Sequence, residues 1–325
     1  MKDILRWGFL GTARISRALI PPLRASKRNQ LAAVASRSLE KAQEFSREWK
    51  VPIAYGSYEA LLVDPDIDVI YISLPNHLHT EWVVKAAAAG KHVLCEKPLA
   101  LSTAEVDSII QAARTYQVHI AEAFMYRHHP QTLKVKELID SGKIGELRYI
   151  QGSFSFPLNR PDDYRWKPAE GGGSLWDIGC YPLSYSLLAT NDIPVEVFGW
   201  QQKADSGVDL DFIGQLRFAS GVFVQIHSSF ALPNFTSMEL RGSQGTLLIP
   251  APFNPTDRSQ FVLHNEKDQI FHVKGGELYC GEVENMSEVI LDHLDPRLPL
   301  ENSWQIIRCL EALYQSAETG KPVQV

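Results

Sequence analysis

Through residue 123 the chain alternates short apolar runs with amphipathic stretches of helical period. The apolar runs at 4–10, 31–35, 51–55, 69–74, 93–95 and 118–123 have strand length and little internal polarity, the signature of strands buried on both faces. Between them the spacing predicts helices. Residues 17–20 form a short one stopped by Pro21-Pro22, 39–49 follow Ser38 as cap, and 58–62 form a turn. Residues 80–89 are Ala-rich and closed by Gly90, and 103–115 open on the capping box Ser102-Thr103-Ala104-Glu105. Strand and helix in strict alternation imply an α/β fold: a doubly wound (Rossmann) parallel sheet.

After Phe124 the period changes. A helix at 132–140 ends at Gly142, and from Leu147 onward the apolar spacing is mainly two, giving strands at 147–156, 195–201, 212–218, 222–230, 237–241, 246–249, 261–264 and 270–273. Ala219-Ser220-Gly221 and Gly242-Ser243-Gln244-Gly245 read as hairpin turns between them. Strands that follow one another without helices imply an open, mainly antiparallel sheet in an α+β domain. A last helix, 303–319, stops at Gly320 and Pro322. The expected division is therefore 1–123, a dinucleotide-binding domain, and 124–325, a substrate-binding and dimerisation domain whose last helix packs back on the first.

Composition narrows the partners. A formal charge of −6 on 325 residues carries no basic excess, which argues against nucleic acid. No apolar run approaches the roughly 18 residues of a membrane span, and the N-terminus enters a strand pattern without a signal-peptide core, so a cytoplasmic setting is expected. Four widely separated cysteines fit neither a disulfide framework nor a zinc site, and His77/His79 and His128-His129 lack the neighbours that complete a metal site. No metal is expected.

The candidate chemistry sits at strand ends, because open α/β sheets bind ligands outside the carboxyl ends of their strands. Gly11-Thr12-Ala13-Arg14-Ile15-Ser16 is a strand–turn–helix in which Gly11, Ala13 and Ser16 occupy the three glycine places of the dinucleotide fingerprint. After the second run, Ser36-Arg37-Ser38 stands where an acidic residue would select NAD. Two hydroxyls and a guanidinium, with Lys41 one turn on, suit the 2′-phosphate of NADP(H) instead. The fourth run ends in Leu74-Pro75-Asn76-His77-Leu78-His79, read as the floor under the nicotinamide ribose with Leu74, Pro75, Asn76 and His79 as cofactor candidates. The fifth delivers Glu96 and Lys97, and Pro98 keeps the lysine out of a continuing helix. Further on, Tyr164-Arg165-Trp166 precedes Gly171-Gly172-Gly173, where the backbone can pass close to a ligand. Asp177 and Tyr181, four apart, share a face if a helix begins there.

Taken together, Gly11 to Ile15, Ala89-Gly90-Lys91-His92-Val93-Leu94-Cys95-Glu96-Lys97-Pro98, and Gly171 through Tyr181 make the chain resemble the Gfo/Idh/MocA family of NADP- or NAD-dependent sugar and polyol oxidoreductases. The likeness is greatest to the branch of glucose-fructose oxidoreductase, NADP-dependent D-xylose dehydrogenase and dimeric dihydrodiol dehydrogenase. That branch has Tyr, as at Tyr181, where inositol dehydrogenases have His. The resemblance implies Lys97 and Tyr181 as a catalytic pair, Tyr164 and Arg165 near the cofactor, and a homodimer or tetramer built through the open face of the second sheet. In this reading Tyr181 is the general acid/base assisted by Lys97, since a phenol of ordinary pKa, about 10, needs a neighbouring cation to act near neutrality. Asp177 orients the pair or binds a hydroxyl; Arg127, Trp166, Asp177 and Tyr181 are the substrate candidates. The expected function is NADP-dependent hydride transfer to or from a sugar or polyol C–OH, as in D-xylose dehydrogenase. Trans-dihydrodiol dehydrogenase and anhydro-sugar reductase are the alternatives, although Met125 stands where the former has a substrate-facing Trp. A ligand-sensing regulator without turnover is the alternative class, disfavoured because Lys97 and Tyr181 are both retained. A redox-cofactor hydrolase is a third possibility.

Overall fold

The computed structural model describes residues 3–325, which divide into two compact units, residues 3–128 with Tyr279–Trp304, and His129–Leu278 with Gln305–Val325. The first unit is built on β1 (Leu5–Leu10), β2 (Asn29–Ala35), β3 (Ile53–Tyr55), β4 (Val69–Ile72), β5 (His92–Glu96) and β6 (Ile120–Ala123). All pair in parallel in the order β3-β2-β1-β4-β5-β6. The apolar runs form these strands because helices cover both faces. Phe9, Leu10, Val69, Ile70, Tyr71 and Ile72 are fully buried. The helices between them are α1 (Ser16–Ala25), α2 (Leu39–Trp49), α3 (Tyr58–Leu62), α4 (His79–Ala88) and α5 (Thr103–Tyr116).

Pro21-Pro22 does not stop α1, which runs on to Ala25 with both prolines inside it. The two missing N–H groups forgo two turn bonds, a cost of about 3 kcal/mol each in a helix interior. Against this, Leu19, Ile20 and Leu23 are buried on the face turned to the sheet, each contributing roughly 1.5–3 kcal/mol. Tertiary burial thus carries the helix through its breakers. The capping box also differs in detail: Ser102 Oγ accepts from Glu105 N at 3.2 Å, but Glu105 reaches back to the N–H of Leu101 rather than of Ser102.

The second unit opens with α6 (Pro130–Asp140) and carries α7 (Cys180–Thr190) against a nine-stranded sheet. Its strands are β7 (Leu147–Ser155), β8 (Glu196–Lys203), β9 (Asp209–Arg217), β10 (Phe223–Ser229), β11 (Phe235–Gly242), β12 (Thr246–Ile249), β13 (Gln260–His264), β14 (Gln269–His272) and the short β15 (Val323–Gln324), which the sequence pattern did not show. The order is β14-β13-β12-β11-β7-β10-β9-β8-β15. All neighbours are antiparallel except β7 and β10, which pair in parallel at the sheet centre. The long excursion from β7 to β8, which includes α7, allows this exception.

The chain then returns to the first unit as α8 (Cys280–Asp292), which a linear cut at residue 123 leaves out. Val283 and Met286 enter the core of Trp7, Leu19, Ile20 and Leu23. Asn29 joins the elements by accepting from Trp7 Nε1 at 2.8 Å and donating to Ser287 Oγ at 2.7 Å. Helical period alone does not reveal α8, because its buried face also holds Glu282, Asn285 and Ser287. The last helix, α9 (Leu300–Thr319), belongs to the first unit through Trp304 and to the second from Gln305 on. Truncating Met286 to Ala is expected to destabilise the first unit by about 2–4 kcal/mol, read as a lower midpoint in urea unfolding followed by tryptophan fluorescence.

Candidate active site

Parallel pairing brings the ends of β1, β2, β4 and β5 to one edge of the first unit. Gly11 turns the chain there at φ +100°, and a Cβ would press on Leu74 Cδ2 and Ser73 Oγ at 3.2 and 3.3 Å, so this first fingerprint place admits glycine. Ser16, at the third place, is buried and its hydroxyl lies 2.7 Å from Ser73 Oγ. A serine replaces the usual glycine because the loop after β4 supplies it a partner. The α1 N-terminus carries no capping side chain and no acidic residue in its first turn, and among the described residues no backbone acceptor meets the amides of Thr12, Ala13, Arg14 or Ile15. These features fit a dinucleotide pyrophosphate. At the end of β2, Ser36 is buried, Arg37 is exposed, and Ser38 caps α2 by accepting from Lys41 N. Burial raises the Tyr58 pKa, and the Arg37 charge opposes that rise.

The ends of β4 and β5 are tied together. His79 is fully buried with Nδ1 2.7 Å from the Pro98 carbonyl and Nε2 2.8 Å from the Leu74 carbonyl. A neutral imidazole has one N–H and satisfies one of the two. Burial prevails over those carbonyls and pushes its pKa down to about 4, so one nitrogen is bare near neutrality. His79 therefore braces two loops rather than facing solvent. Asn76 is buried and Pro75 half-buried on the same loop. The Glu96 carboxylate accepts from Tyr71 Oη at 2.6 Å. Lys97 is partly buried at the end of β5, joined to Pro98 by a cis peptide bond. The next N–H, of Leu99, donates to Glu122 Oε1 at 2.9 Å. Glu122, at the end of β6, is buried enough that its carboxyl is pushed up to about 7.

The second unit arranges the glycine-rich stretch. Gly172 N and Gly173 N donate to the carbonyls of Lys167 and Arg165, folding the turn back on the 164–167 segment. Gly173 sits at φ +120°, and a Cβ there would lie 2.0 Å from Asp209 Oδ1. Asp209 anchors the turn: buried, it accepts from Ser174 Oγ at 2.8 Å, Leu175 N at 2.7 Å and Tyr314 Oη at 2.6 Å. Burial nonetheless holds its carboxyl up at about 6. From this anchor a single π-helical turn, Leu175–Gly179, leads into α7, so Asp177 lies in the π turn and not at a cap. Asp177 is buried and accepts from Arg165 Nε at 2.6 Å. Arg165 also bonds Asp163 at 3.1 Å, with its guanidinium 4.8 Å from the Tyr164 ring. Burial alone would lower the Arg165 pKa, but the Asp177 charge and its other partners raise it. Tyr181 lies in the first turn of α7, packed edge-on to Phe154 at 5.4 Å and tilted on Phe253 at 5.5 Å. Trp166 spends its N–H on the Arg160 carbonyl at 2.9 Å. Arg127 is buried in the first unit, whereas Trp166, Asp177 and Tyr181 are in the second.

Two family models match: an oxidoreductase family with an NAD-binding Rossmann fold over residues 5–124, and a Gfo/Idh/MocA C-terminal domain over residues 132–248. The chain belongs to the Gfo/Idh/MocA oxidoreductase family. Within this family it is 36% identical to a D-xylose 1-dehydrogenase (NADP(+)) of Haloferax volcanii, over 99% of this chain and 100% of that one. It is 37% identical to a trans-1,2-dihydrobenzene-1,2-diol dehydrogenase of Xenopus laevis, over 82% and 81%. Among solved structures, an aldose-aldose oxidoreductase of Caulobacter crescentus superposes with TM-score 0.93 at 26% identity, covering 99% and 100%. KijD10, a 3-ketoreductase of Actinomadura kijaniata solved in complex with NADP and TDP-benzene, gives 0.89 at 30%, covering 97% and 98%.

For this Gfo/Idh/MocA member, sequence reasoning missed Ser73, Tyr58, Glu122 and Asp209. A carboxylate inside an apolar strand was the one available signal, at Glu122. Gly173→Ala is expected to reduce stability by about 2 kcal/mol or more, because a positive-φ residue and the Asp209 carboxylate would both have to give; thermal unfolding measures it. Glu122 also predicts a pH dependence. Its folded pKa, about 7, exceeds the unfolded value, about 4.5. Between these values only the unfolded state loses the proton, so stability falls as pH rises through the window and is flat above it. Glu122→Gln does not titrate. Urea unfolding should show wild type losing about 1–3 kcal/mol relative to the variant between pH 5 and pH 8.

Proposed function

We propose that the chain is an NADP-dependent dehydrogenase/reductase acting on a sugar or polyol C–OH or C=O, with D-xylose the first substrate to test. The observation that carries this reading is Lys97 directly after β5, on the edge that also holds the positive-φ turn at Gly11 and the uncapped start of α1, which together suit a pyrophosphate. NADP is favoured over NAD because Ser36 and Arg37 follow β2 with no carboxylate beside them, and because the D-xylose 1-dehydrogenase named above is NADP(+)-dependent and KijD10 was solved with NADP. NADP+, when bound, accepts the hydride from the substrate carbon.

The protein's residues handle the proton and the charge. In oxidation Tyr181 takes the hydroxyl proton, and the Lys97 ammonium stabilises the oxygen as it becomes a carbonyl; in reduction Tyr181 returns the proton. Support comes from solved variants of KijD10, which replace a tyrosine and a lysine whose separation along that chain equals that of Tyr181 and Lys97 here. Asp177 holds Arg165, and with it the segment before the glycine turn, so its role is to position rather than to transfer. Single-turnover measurements with Lys97→Met and Tyr181→Phe are expected to show hydride transfer slowed on the order of 100-fold or more; rates within threefold of wild type would reject the pair. A panel of D-xylose, D-glucose, a trans-dihydrodiol and a dTDP-3-keto sugar, each with NADP(H) and NAD(H), fixes the substrate class. Absorbance of the reduced nicotinamide that returns to its start after turnover would point instead to a hydrolase.

The second sheet exposes Trp200, Ile213 and Phe223 on one face, flanked by Tyr149 and Phe198. A solvated apolar face of this kind is where a second copy would dock. In this reading the protein is a homodimer through that face, and Trp200→Asp with Phe223→Asp should shift sedimentation to the monomer.

A further inference from the structure

The carbonyl of Pro98 and the N–H of Leu99 belong to one planar peptide unit. His79 Nδ1 lies 2.7 Å from the carbonyl end, and Glu122 Oε1 accepts from the N–H end at 2.9 Å. Both side chains are buried, at 0% and 1% exposure, and they come from separate elements: His79 from the start of α4, Glu122 from β6. The other ring nitrogen of His79 faces the Leu74 carbonyl at 2.8 Å, in the loop against which Gly11 packs.

We infer that His79 and Glu122 are positioning residues for Lys97, gripping the two ends of the Pro98–Leu99 peptide unit and so holding the turn that presents the lysine. The mechanical reason is short. Proline locks its own φ, and a peptide plane pinned at both ends cannot rotate about the bond that follows. The backbone of Lys97, on the other side of that ring, is left with little freedom. An interior hydrogen bond at each end also polarises the peptide, so the two contacts reinforce each other. The Lys97 charge acts on both His79 and Glu122, which puts the ammonium within electrostatic reach of both groups. This inference rests on the reading of Lys97 as the cation at the reacting oxygen.

The clamp requires a proton on His79 Nδ1, and imidazole 15N resonances of 15N-histidine-labelled protein at pH 7, assigned with His79→Asn, report it without any substrate. A protonated Nδ1 is expected. A bare Nδ1, with the proton on Nε2 for Leu74, overturns the His79 half. In turnover with the sugar identified by the panel, His79→Leu and Glu122→Leu should lower kcat on the order of 10- to 100-fold with KM for NADP+ within about threefold. His79→Asn and Glu122→Gln, which keep a donor and an acceptor for the same peptide, should recover most of it. A purely structural role would instead lower Tm and leave kcat unchanged below the transition, and that result overturns the proposal. Should the leucine variants not fold, the 15N measurement still decides. An active Lys97→Met enzyme sinks the reading of Lys97; a silent Lys97→Met beside leucine variants of normal kcat sinks the clamp alone.

Discussion

Parallel pairing is the constraint on which the first unit depends. When six strands run the same way, each carboxyl end arrives at the same edge, and each crossover must leave by that edge. Gly11, Ser36, Leu74, Lys97 and Glu122 are scattered through more than a third of the chain, yet all follow or end a strand and so share one border. The sheet interior is apolar on both faces, which leaves that border as the place where polar side chains can gather without unmatched burial. Ser16 with Ser73, Tyr71 with Glu96, and Leu99 N–H with Glu122 are each polar pairs closed across neighbouring strand ends.

The second unit reaches order at its candidate residues by a different route. Its antiparallel sheet scatters strand ends to opposite borders, so the site residues come from one continuous stretch, Tyr164 to Tyr181. That stretch is stapled at two buried carboxylates. Asp209 gathers a hydroxyl, an amide and a phenol at the glycine turn, and Asp177 takes the Arg165 guanidinium. An acid accepting three hydrogen bonds should be strongly acidic; that Asp209 is still held up near 6 shows how much its burial costs. The turn can afford no Cβ at Gly173 because the anchoring oxygen already fills that space.

The oxidoreductase reading gains its specificity from these two arrangements together with the full-length match to an NADP-dependent sugar dehydrogenase. The turn at Gly11 and the amides of Thr12 to Ile15 fit a dinucleotide pyrophosphate whatever the substrate. Trp166 and Tyr181, both in the second unit, have aromatic surroundings: Phe230 lies beside the first, Phe154 and Phe253 beside the second. Asp177 and Arg165, by contrast, are paired with each other.

By itself the sequence determined the class of both sheets, the exact extents of α2, α3 and β12, and the placing of Lys97 at a strand end. All of these follow from local periodicity, caps and turn residues. Tertiary structure alone decided the continuation of α1 through Pro21-Pro22, the parallel pairing of β7 with β10, and the return of α8 to the first unit. It also decided that both ring nitrogens of His79 lie within 2.8 Å of backbone carbonyls, of which a neutral ring can satisfy one, and that Glu122 meets the turn after Lys97. The physical reason is the range of the interaction. A helix period or a cap is written within a few neighbouring residues, whereas a buried hydrogen bond across strand ends, or a helix kept whole by its core contacts, joins residues whose proximity exists only after the chain has folded.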